Sequence, residues 1–600
     1  VTTPTTTTAV EELLTLRVLG ALLREDVAGL RSATTLEQRP DGPWLAGERL
    51  ALPVTADGFQ STYTARLPLL LVDGVTHREL DSLIAALAEL AEPGDRPGYA
   101  AFAEECGQTL ATMRLHERVQ PEVLAGLAER YGADPADWRG LGPSLAFDTL
   151  AAYLDHPVYP TARGRSGLDE EQLASYAPEF HSSFLLRWLA VPAAELTVEG
   201  RAPLPGWWPS PEQLGLTGLT GPHLTVPVHP LTAEAAPAAL PGAVLADRPY
   251  LEVLPTLSMR TVAVVQDPAL HLKLPLTTAT LGLRNRRTVK PGTLVDGAVG
   301  QRMLEAVLAR EPRLAGRILL ADEQCYAHAD HELIAVLARR YPAGLEQAVT
   351  VPLAALLATA PDGRPVVEHL ADRYYAGSPL ALYEAFLALL LDWQTTLFGH
   401  GIALESHQQN TSLVLDHHEG RTRLRLLYKD NDGPRVNPER MGELAHFAAE
   451  FDDHRVAAPS DRPLTDLFTT ITGHLCAASL AFGLAAHGHA PLGRTLGLLR
   501  SHLTEAVDRL GPAGQPLRTA LLDAAELPVK AMVTAGSLLS KERSGAADIN
   551  KHYTTGPNYL AVPTKQVPTE QEGQARQDGQ ATPTGQAEQA EQLPTEQVEC

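Results

Sequence analysis

Cysteine is scarce in this chain of 600 residues: there are four, at positions 106, 325, 476 and 600, far apart and without a C-x-x-C pair. That spacing offers neither a disulfide framework nor a zinc ribbon, and it fits a reducing cytoplasm. Runs of lysine and arginine are also missing, and 49 basic residues stand against 72 acidic ones, a formal charge of −23. Such a chain is a poor partner for nucleic acid, so any anionic ligand has to be met by a local basic pocket. The opening stretch VTTPTTTTAVEELLTLRVLGALL carries Glu11 and Glu12 where an export signal needs positive charge, and no signal is expected there. The most apolar later stretch, LYEAFLALLLDWQTTLF, is interrupted by Glu384 and Asp392 and is too short to span a bilayer. A core helix is expected instead, with no membrane partner. Several short motifs are absent as well: G-x-x-x-x-G-K-[ST], a G-x-G-x-x-G after a strand, and G-x-S-x-G, while HELIA (331–335) lacks the second histidine of a zinc-protease helix. A nucleotide site in this chain must be of another kind.

What is present is enough apolar material, 44% of residues, for a large core divided among lobes. Helical periodicity dominates residues 1–150, as in HRELDSLIAALAEL and PEVLAGLAERY. Between 151 and 345 short β-branched or alternating runs bounded by Pro, Gly and Asp take over (HLTVPV, RTVAVVQ, LHLKLPL, RILLAD), and a sheet is expected. Helices return over 346–562, interrupted by a hairpin around HHEG. From 563 to 600 the chain is Gln, Glu, Thr, Pro and Gly with almost no large apolar residue, and a disordered tail is expected.

Four clusters can carry chemistry. In DHPVYPTARGRSG (155–167), His156, Arg163 and Arg165 share a loop stiffened by Pro and Gly and suited to an anion, unless its arginines are simply solvated. In LPTLSMRTVAVVQ (254–266) and the strand after it, Ser258, Arg260, Thr261 and Lys273 can point into one cleft by alternation, a phosphate clamp of side chains that Thr280, Arg284, Arg286 and Arg287 extend. The plain alternative is an exposed face with snorkelling cations. In ALESHQQNTSLVL (403–415) and LLYKDNDG (426–433), Glu405, His407 and Asn410 precede one hairpin strand, and Asp430 and Asp432 follow the other. Antiparallel pairing brings the two ends together and assembles an oxygen-rich set that suits Mg²⁺ with substrate phosphates. CYAHADH (325–331) lacks a full zinc set and reads as loop residues beside a helix start.

Taken in order, these segments resemble the siderophore synthetases that work without nonribosomal peptide synthetases, the aerobactin synthetase or IucA/IucC family. The resemblance runs through DHPVYPTARGRSG, YAPEF, VPVHP, SMRT, KLPL, ADEQ, ESHQQN, KDNDG and GPNYL, about four hundred residues. It implies an α+β protein with a cupped-hand shape: a helical thumb (1–150), β-rich fingers (151–345) and a helical palm (346–562). It also implies ATP and Mg²⁺ as cofactors and an adenylation chemistry. A polycarboxylate, usually citrate, is activated as its adenylate, and an amine, hydroxylamine or alcohol then displaces AMP. By that resemblance Ser258, Arg260, Thr261 and Lys273 match ATP-phosphate contacts, and Glu405, Asp430 and Asp432 match Mg²⁺ and nucleotide contacts. His407 and Asn410 match residues at the reacting phosphate and carboxylate, while His156, Thr280 and Arg284 match carboxylate and α-phosphate positions, with Arg163 in the same loop. The catalytic set so implied is His156, Arg260, Lys273, Arg284 and His407. Dimerisation is common in the family. The chain departs from the family pattern at Tyr159 (for His), Arg163 (for Lys) and Lys429 (for Arg). Its Lys273-to-Arg284 spacing is one residue short, which makes Arg286 an alternative to Arg284. Two other readings keep parts of this site: a kinase-like phosphotransferase, and a non-catalytic citrate- or siderophore-binding protein.

Overall fold

Leucines and isoleucine at three- and four-residue steps in LDSLIAALAEL form the helix Leu80–Leu90, which buries Leu80, Leu83, Ile84 and Leu87. It packs on a long helix, Arg96–Tyr131, of which PEVLAGLAERY is only the last part, since the helix runs on through Pro121. This computed structural model describes residues 9–200, 205–544 and 552–561; the tail expected to be disordered, with Cys600, lies outside them. The first 150 residues are not purely helical, which corrects the expected helical lobe. Residues 35–77 form a six-stranded antiparallel sheet, with Pro40 and Asp41 turning the first hairpin between Arg39 and Gly42. Its strands are three to seven residues long. So short a pattern is outweighed by the helical periodicity on either side.

The region 151–345 carries a seven-stranded antiparallel sheet in which Glu252–Pro255, Thr261–Val264, Asp267–Lys273, Ile334–Arg340 and Asp322–His331 are consecutive neighbours. Alternation sorts its two faces. Val262, Val264, Leu270, Leu272 and Val336 fill an apolar core on one side. Thr261 and Lys273, opposite each other in register, therefore fall on the other face together with His271 and Arg339. CYAHADH lies within the strand Asp322–His331 rather than in a loop before a helix. Among the described residues no group of three or more His, Cys, Asp or Glu is placed to hold a metal.

The later helices are core elements. Ser378 caps the helix Pro379–Gly399 by accepting the Ala381 N–H at 3.1 Å, and that helix meets Val366–Tyr374 at 86°. The helical run Arg462–Ala486 is long and apolar enough to cross a membrane, yet 83% of its apolar window is buried in the fold. Between them stands the hairpin Thr411–His418 and Arg421–Tyr428. Glu419 and Gly420 at its tip both have left-handed φ, 51° and 74°, the requirement of a two-residue type I′ turn. One continuous core runs from Leu14 through the hairpin to Leu560, so the N-terminal helix, the hairpin and the later helices share it.

His229, in VPVHP, is fully buried against Tyr176 and Phe184, and its Nε2 has no hydrogen-bond partner among the described residues. Burial depresses its pKa to about 3. As pH falls below 6.5 the unfolded chain takes up this proton and the folded one does not, so stability is lost from about pH 6.5 down towards 3. Replacing His229 with Phe removes that term. Relative to wild type, the variant should gain about 2 kcal/mol between pH 7 and pH 5. Denaturant titrations of both proteins at the two pH values check this; an unchanged difference would refute it.

Candidate active site

The strand Asp267–Lys273 ends with its lysine on the polar face of the large sheet, and the hairpin Thr411–Tyr428 leads directly into the loop that carries Asp430 and Asp432. The two meet. Lys273 Nζ lies 2.5 Å from Asp430 Oδ1 and 3.0 Å from Asp432 Oδ2, with Lys273 itself buried. Despite burial, which alone would raise it, the Asp430 carboxyl is held well below the usual range by Lys273, then Arg339, then Arg260. Arg260 donates to the Thr288 carbonyl at 2.8 Å. Ser258 Oγ accepts the Thr261 N–H at 3.1 Å and closes the turn before that strand, whose Met259 is left-handed with φ 63°. Thr261, Lys273, Arg260, Asp430 and Asp432 thus form one cluster where the sheet faces the hairpin loop.

Two glycines of the helix Pro291–Arg310 face the acidic loop, and only one of them is needed for its close approach. A Cβ on Gly300 would sit 2.4 Å from the Asn431 carbonyl oxygen, whereas one on Gly297 would meet Asp432 only at 3.8 Å.

At the mouth of the hairpin the Lys429 N–H donates to the Asn410 carbonyl at 3.1 Å, so the two ends do come together. His407 Nδ1 accepts the Gln409 N–H at 3.3 Å, and Nε2 lies 3.4 Å from the Asn410 amide. Burial lowers the His407 pKa, against the pull of Glu405 and Asp430. His156 is brought close to it: burial, then His407, then Arg17 depress the His156 pKa to about 3, so both imidazoles are neutral near pH 7. Glu405 pairs with Lys530 at 3.4 Å, and its Oε2 lies beside Gly433 of the acidic loop. Asp430 and Asp432 share one cation, Lys273, and among the described residues no group of three or more His, Cys, Asp or Glu is placed to hold a metal there. A pair of carboxylates completed by phosphate oxygens is how Mg²⁺ is commonly held beside a nucleotide, and the donors present fit that arrangement.

Other expected residues lie outside the cluster or are otherwise engaged. Arg284 is exposed and donates to the Ala535 and Leu539 carbonyls; Arg286 is exposed too. Arg287 faces inward instead. Burial and Arg260 lower its pKa to about 9, while Asp430 pulls the other way, and its Nε has no hydrogen-bond partner among the described residues. Thr280 lines a small pocket with Glu105 and Gly282. Arg163 pairs with Asp155 at 2.7 Å, and Arg165 pairs with the buried Glu179 at 3.2 Å. Burial favours the neutral Glu179, but Arg165 and His116 bring its pKa down to about 2. The arginines of that loop therefore serve the loop. Two residues at the site carry no local signal in the sequence: Lys530, which acts electrostatically on both His156 and His407, and Arg339 beside Asp430; their neighbour Glu323 lies in ADEQ, a segment of the resemblance that carries no assigned role.

The mixed helix-and-sheet body is the fold of solved siderophore synthetases. The structure of ATP-bound aerobactin synthetase IucA from a hypervirulent pathotype of Klebsiella pneumoniae superposes with a TM-score of 0.66 at 17% identity, over 92% of this chain and 100% of that one. The rhizobactin siderophore biosynthesis protein RhbC of Rhizobium meliloti (strain 1021) is 25% identical over 489 residues, 70% of this chain and 75% of the relative. A shorter match, 54% identical over 39 residues (6% of this chain and 7% of the relative), is to the L-2,3-diaminopropanoate–citrate ligase of Staphylococcus aureus (strain NCTC 8325 / PS 47). Residues 144–358 match the IucA / IucC family, and residues 383–543 match a model described as ferric iron reductase FhuF-like transporter. Over residues 144–358 the chain is thus similar to the IucA / IucC family.

The two glycines predict opposite outcomes. Alanine at 297 has room and a better helix propensity, so Gly297→Ala should be neutral or stabilising by about 1 kcal/mol. Gly300→Ala forces the Asn431 backbone away and should cost about 1–3 kcal/mol. Equilibrium unfolding of both variants checks this; equal stabilities would contradict the close approach.

Proposed function

We propose that this protein is an ATP- and Mg²⁺-dependent ligase of siderophore synthesis, which activates a polycarboxylate, citrate or a citryl derivative, and condenses it with an amine, hydroxylamine or alcohol. The observation that carries this reading is the meeting of Lys273 with Asp430 and Asp432 at 2.5 and 3.0 Å. Names of relatives support it: one is a citrate ligase, and one structural neighbour was solved with ATP bound.

In the first step a substrate carboxylate oxygen bonds to the α-phosphorus of ATP, the bond to the bridging oxygen breaks, and pyrophosphate leaves. In the second the nucleophile's nitrogen or oxygen bonds to the carbonyl carbon, the bond to AMP breaks, and the nucleophile loses a proton. A carboxylate and a triphosphate repel, so the chain must supply fixed positive charge where they meet. Arg260, Lys273 and Arg287 would do so at the phosphates, with Ser258 and Thr261 shaping the turn that presents Arg260. Asp430 and Asp432 would hold Mg²⁺, which when bound neutralises charge on the phosphates. At the other end, Lys530, His156 and His407 would receive the polycarboxylate. The neutral His407, beside Asn410, is suited to accept the proton released by the nucleophile. Glu405 would hold Lys530 in place. Arg284, Arg163 and Thr280 border this region and would act on the substrate only by releasing their present partners. The reaction belongs to the cytoplasm, where ATP is supplied.

Two measurements test this. Wild-type protein with ATP, Mg²⁺, citrate and hydroxylamine should form AMP and pyrophosphate; formation of ADP would point to a phosphotransferase, and no nucleotide turnover with any polycarboxylate to a binding protein. Lys273→Met and Arg260→Ala should each lower citrate-dependent pyrophosphate exchange by about a hundredfold or more, the scale of losing one preorganised donor. Lys530→Gln should instead raise the KM for the polycarboxylate about tenfold or more with ATP binding unchanged, as expected for loss of a charge-assisted contact. A Lys530→Gln enzyme with an ordinary KM would remove that residue from the substrate end.

A further inference from the structure

The strand Asp322–His331 loses register with its neighbour between Asp322 and Cys325, and Glu323 lies within that irregularity. Such bulges re-aim a side chain that strict alternation would place elsewhere. Glu323 is 1% exposed and spends both carboxylate oxygens on the loop that follows the hairpin. Oε1 accepts the Asp430 N–H at 2.7 Å, and Oε2 accepts the Asn431 N–H at 3.0 Å. Arg339, 3% exposed, then joins carboxylate to carboxylate: its Nε donates to Glu323 Oε1 at 2.5 Å and its Nη2 to Asp430 Oδ1 at 3.1 Å.

Asp430 needs this support. Its backbone is left-handed, φ 64°, a conformation that an aspartate tolerates but that must be held by its surroundings. Two successive N–H groups at such a turn form an anion-binding concavity, and Glu323 fills it. Both cations that touch the Asp430 side chain, Lys273 and Arg339, use Oδ1. Among the described residues no hydrogen bond is made to Oδ2, which leaves that oxygen for a ligand.

We propose that Glu323 and Arg339 are a positioning pair, which fixes the Asp430 loop so that Asp430 and Asp432 present a preformed site for a divalent cation bound with a nucleotide. Neither residue is exposed enough to touch substrate; they act through Asp430. The inference rests on the ATP- and Mg²⁺-dependent reading above. An alternative purely structural role would also explain a buried ion pair, since such pairs are common in cores. The two roles separate because replacing both members of a buried pair with uncharged residues of similar size usually preserves stability, whereas removing one member leaves a bare buried charge.

The test is therefore the double variant Glu323→Gln/Arg339→Met, with Arg339→Lys as a second variant that keeps the charge and loses the fork. Mn²⁺ titrated in the presence of ATP and followed by electron paramagnetic resonance reads metal–nucleotide affinity. Titration calorimetry with ATP in excess chelator reads metal-free nucleotide binding, and a melting curve reads the fold. Positioning predicts a folded double variant whose Mn²⁺–ATP affinity is reduced about 10–100-fold, the usual effect of losing a group behind a metal ligand, with metal-free ATP binding changed by less than about threefold. Arg339→Lys should fall between it and wild type. Wild-type Mn²⁺–ATP affinity in a folded double variant overturns the proposal. So does an equal loss of metal-free ATP binding, and so does failure of both variants to fold, since each makes the pair structural. If the wild-type protein binds no ATP at all, the nucleotide reading itself falls, an outcome distinct from the others because no variant is needed to see it.

Discussion

An ammonium group buried between two carboxylates is the contact on which the site depends. Lys273 belongs to a sheet built from residues 184–340, and Asp430 and Asp432 belong to the loop after a hairpin some 150 residues later, so one interaction joins the two regions that form the cleft. Burying any of the three alone would be costly, and their mutual contact offsets it. Around them the charges are nearly balanced, with a cationic surplus. Arg260, Lys273, Arg287 and Arg339 stand against Glu323, Asp430 and Asp432, four against three. In a chain whose net charge is −23, that local surplus is what lets an anion approach this surface.

The region around His156, His407 and Lys530, the proposed substrate end, is built on a different principle. His156 and His407 are both neutral, His156 because burial and then neighbouring His407, Arg17, Arg24 and Lys530 all disfavour its charged form, His407 because burial outweighs Glu405 and Asp430, so they offer hydrogen bonds rather than charge. Charge there comes from Lys530, whose ammonium is 3.4 Å from Glu405. The loop that carries His156 is fixed from outside: Arg17 and Arg24 of the helix Ala9–Arg24 donate to the carbonyls of His156 (2.8 Å) and Val158 (2.5 Å). Arg163 and Arg165 are spent on Asp155 and Glu179. A loop that reads as an anion binder owes its shape to arginines, two of its own and two from the N-terminal helix, while its imidazole is the group that reaches the site.

How much of this was legible varies with the distance over which the signal acts. Alternation along one strand placed Lys273 on the face opposite Leu270 and Leu272, and the HHEG turn marked a hairpin that does bring Asn410 to Lys429. Both are local signals. Over Arg284, Arg286 and Arg287 the same reasoning was out of phase: the segment returns along Leu276–Thr280 through the bridge between Ala279 and Arg286, and Arg287 is the residue turned towards Asp430. Glu323 sits in the segment ADEQ, but its role was not legible because a bulge breaks the period on which strand reading relies. Lys530 was hidden because nothing near it in the chain is chemical; only the fold carries it to Glu405. The small sheet at residues 35–77 was missed for a matching reason, its strands being shorter than the helices that flank them.

Lys273 has a further consequence for any nucleotide that enters this cleft. Its departure from Asp430 and Asp432 is costly unless another cation replaces it, because both carboxylates are three-quarters buried and Asp432 would lose its ammonium partner. Nor does Asp430 become neutral easily, since Arg339 would still hold it ionised. On the proposed reading, an incoming metal–triphosphate meets both conditions at once: it brings a cation for the aspartates and an anion for the released ammonium. The exchange conserves charge, so Lys273 can turn from one partner to the other without leaving an unpaired ion behind. A nucleotide without metal satisfies only half of this exchange, and a metal without nucleotide would have to compete with an ammonium already in contact. The resting geometry of three side chains thus favours the metal and the nucleotide arriving together.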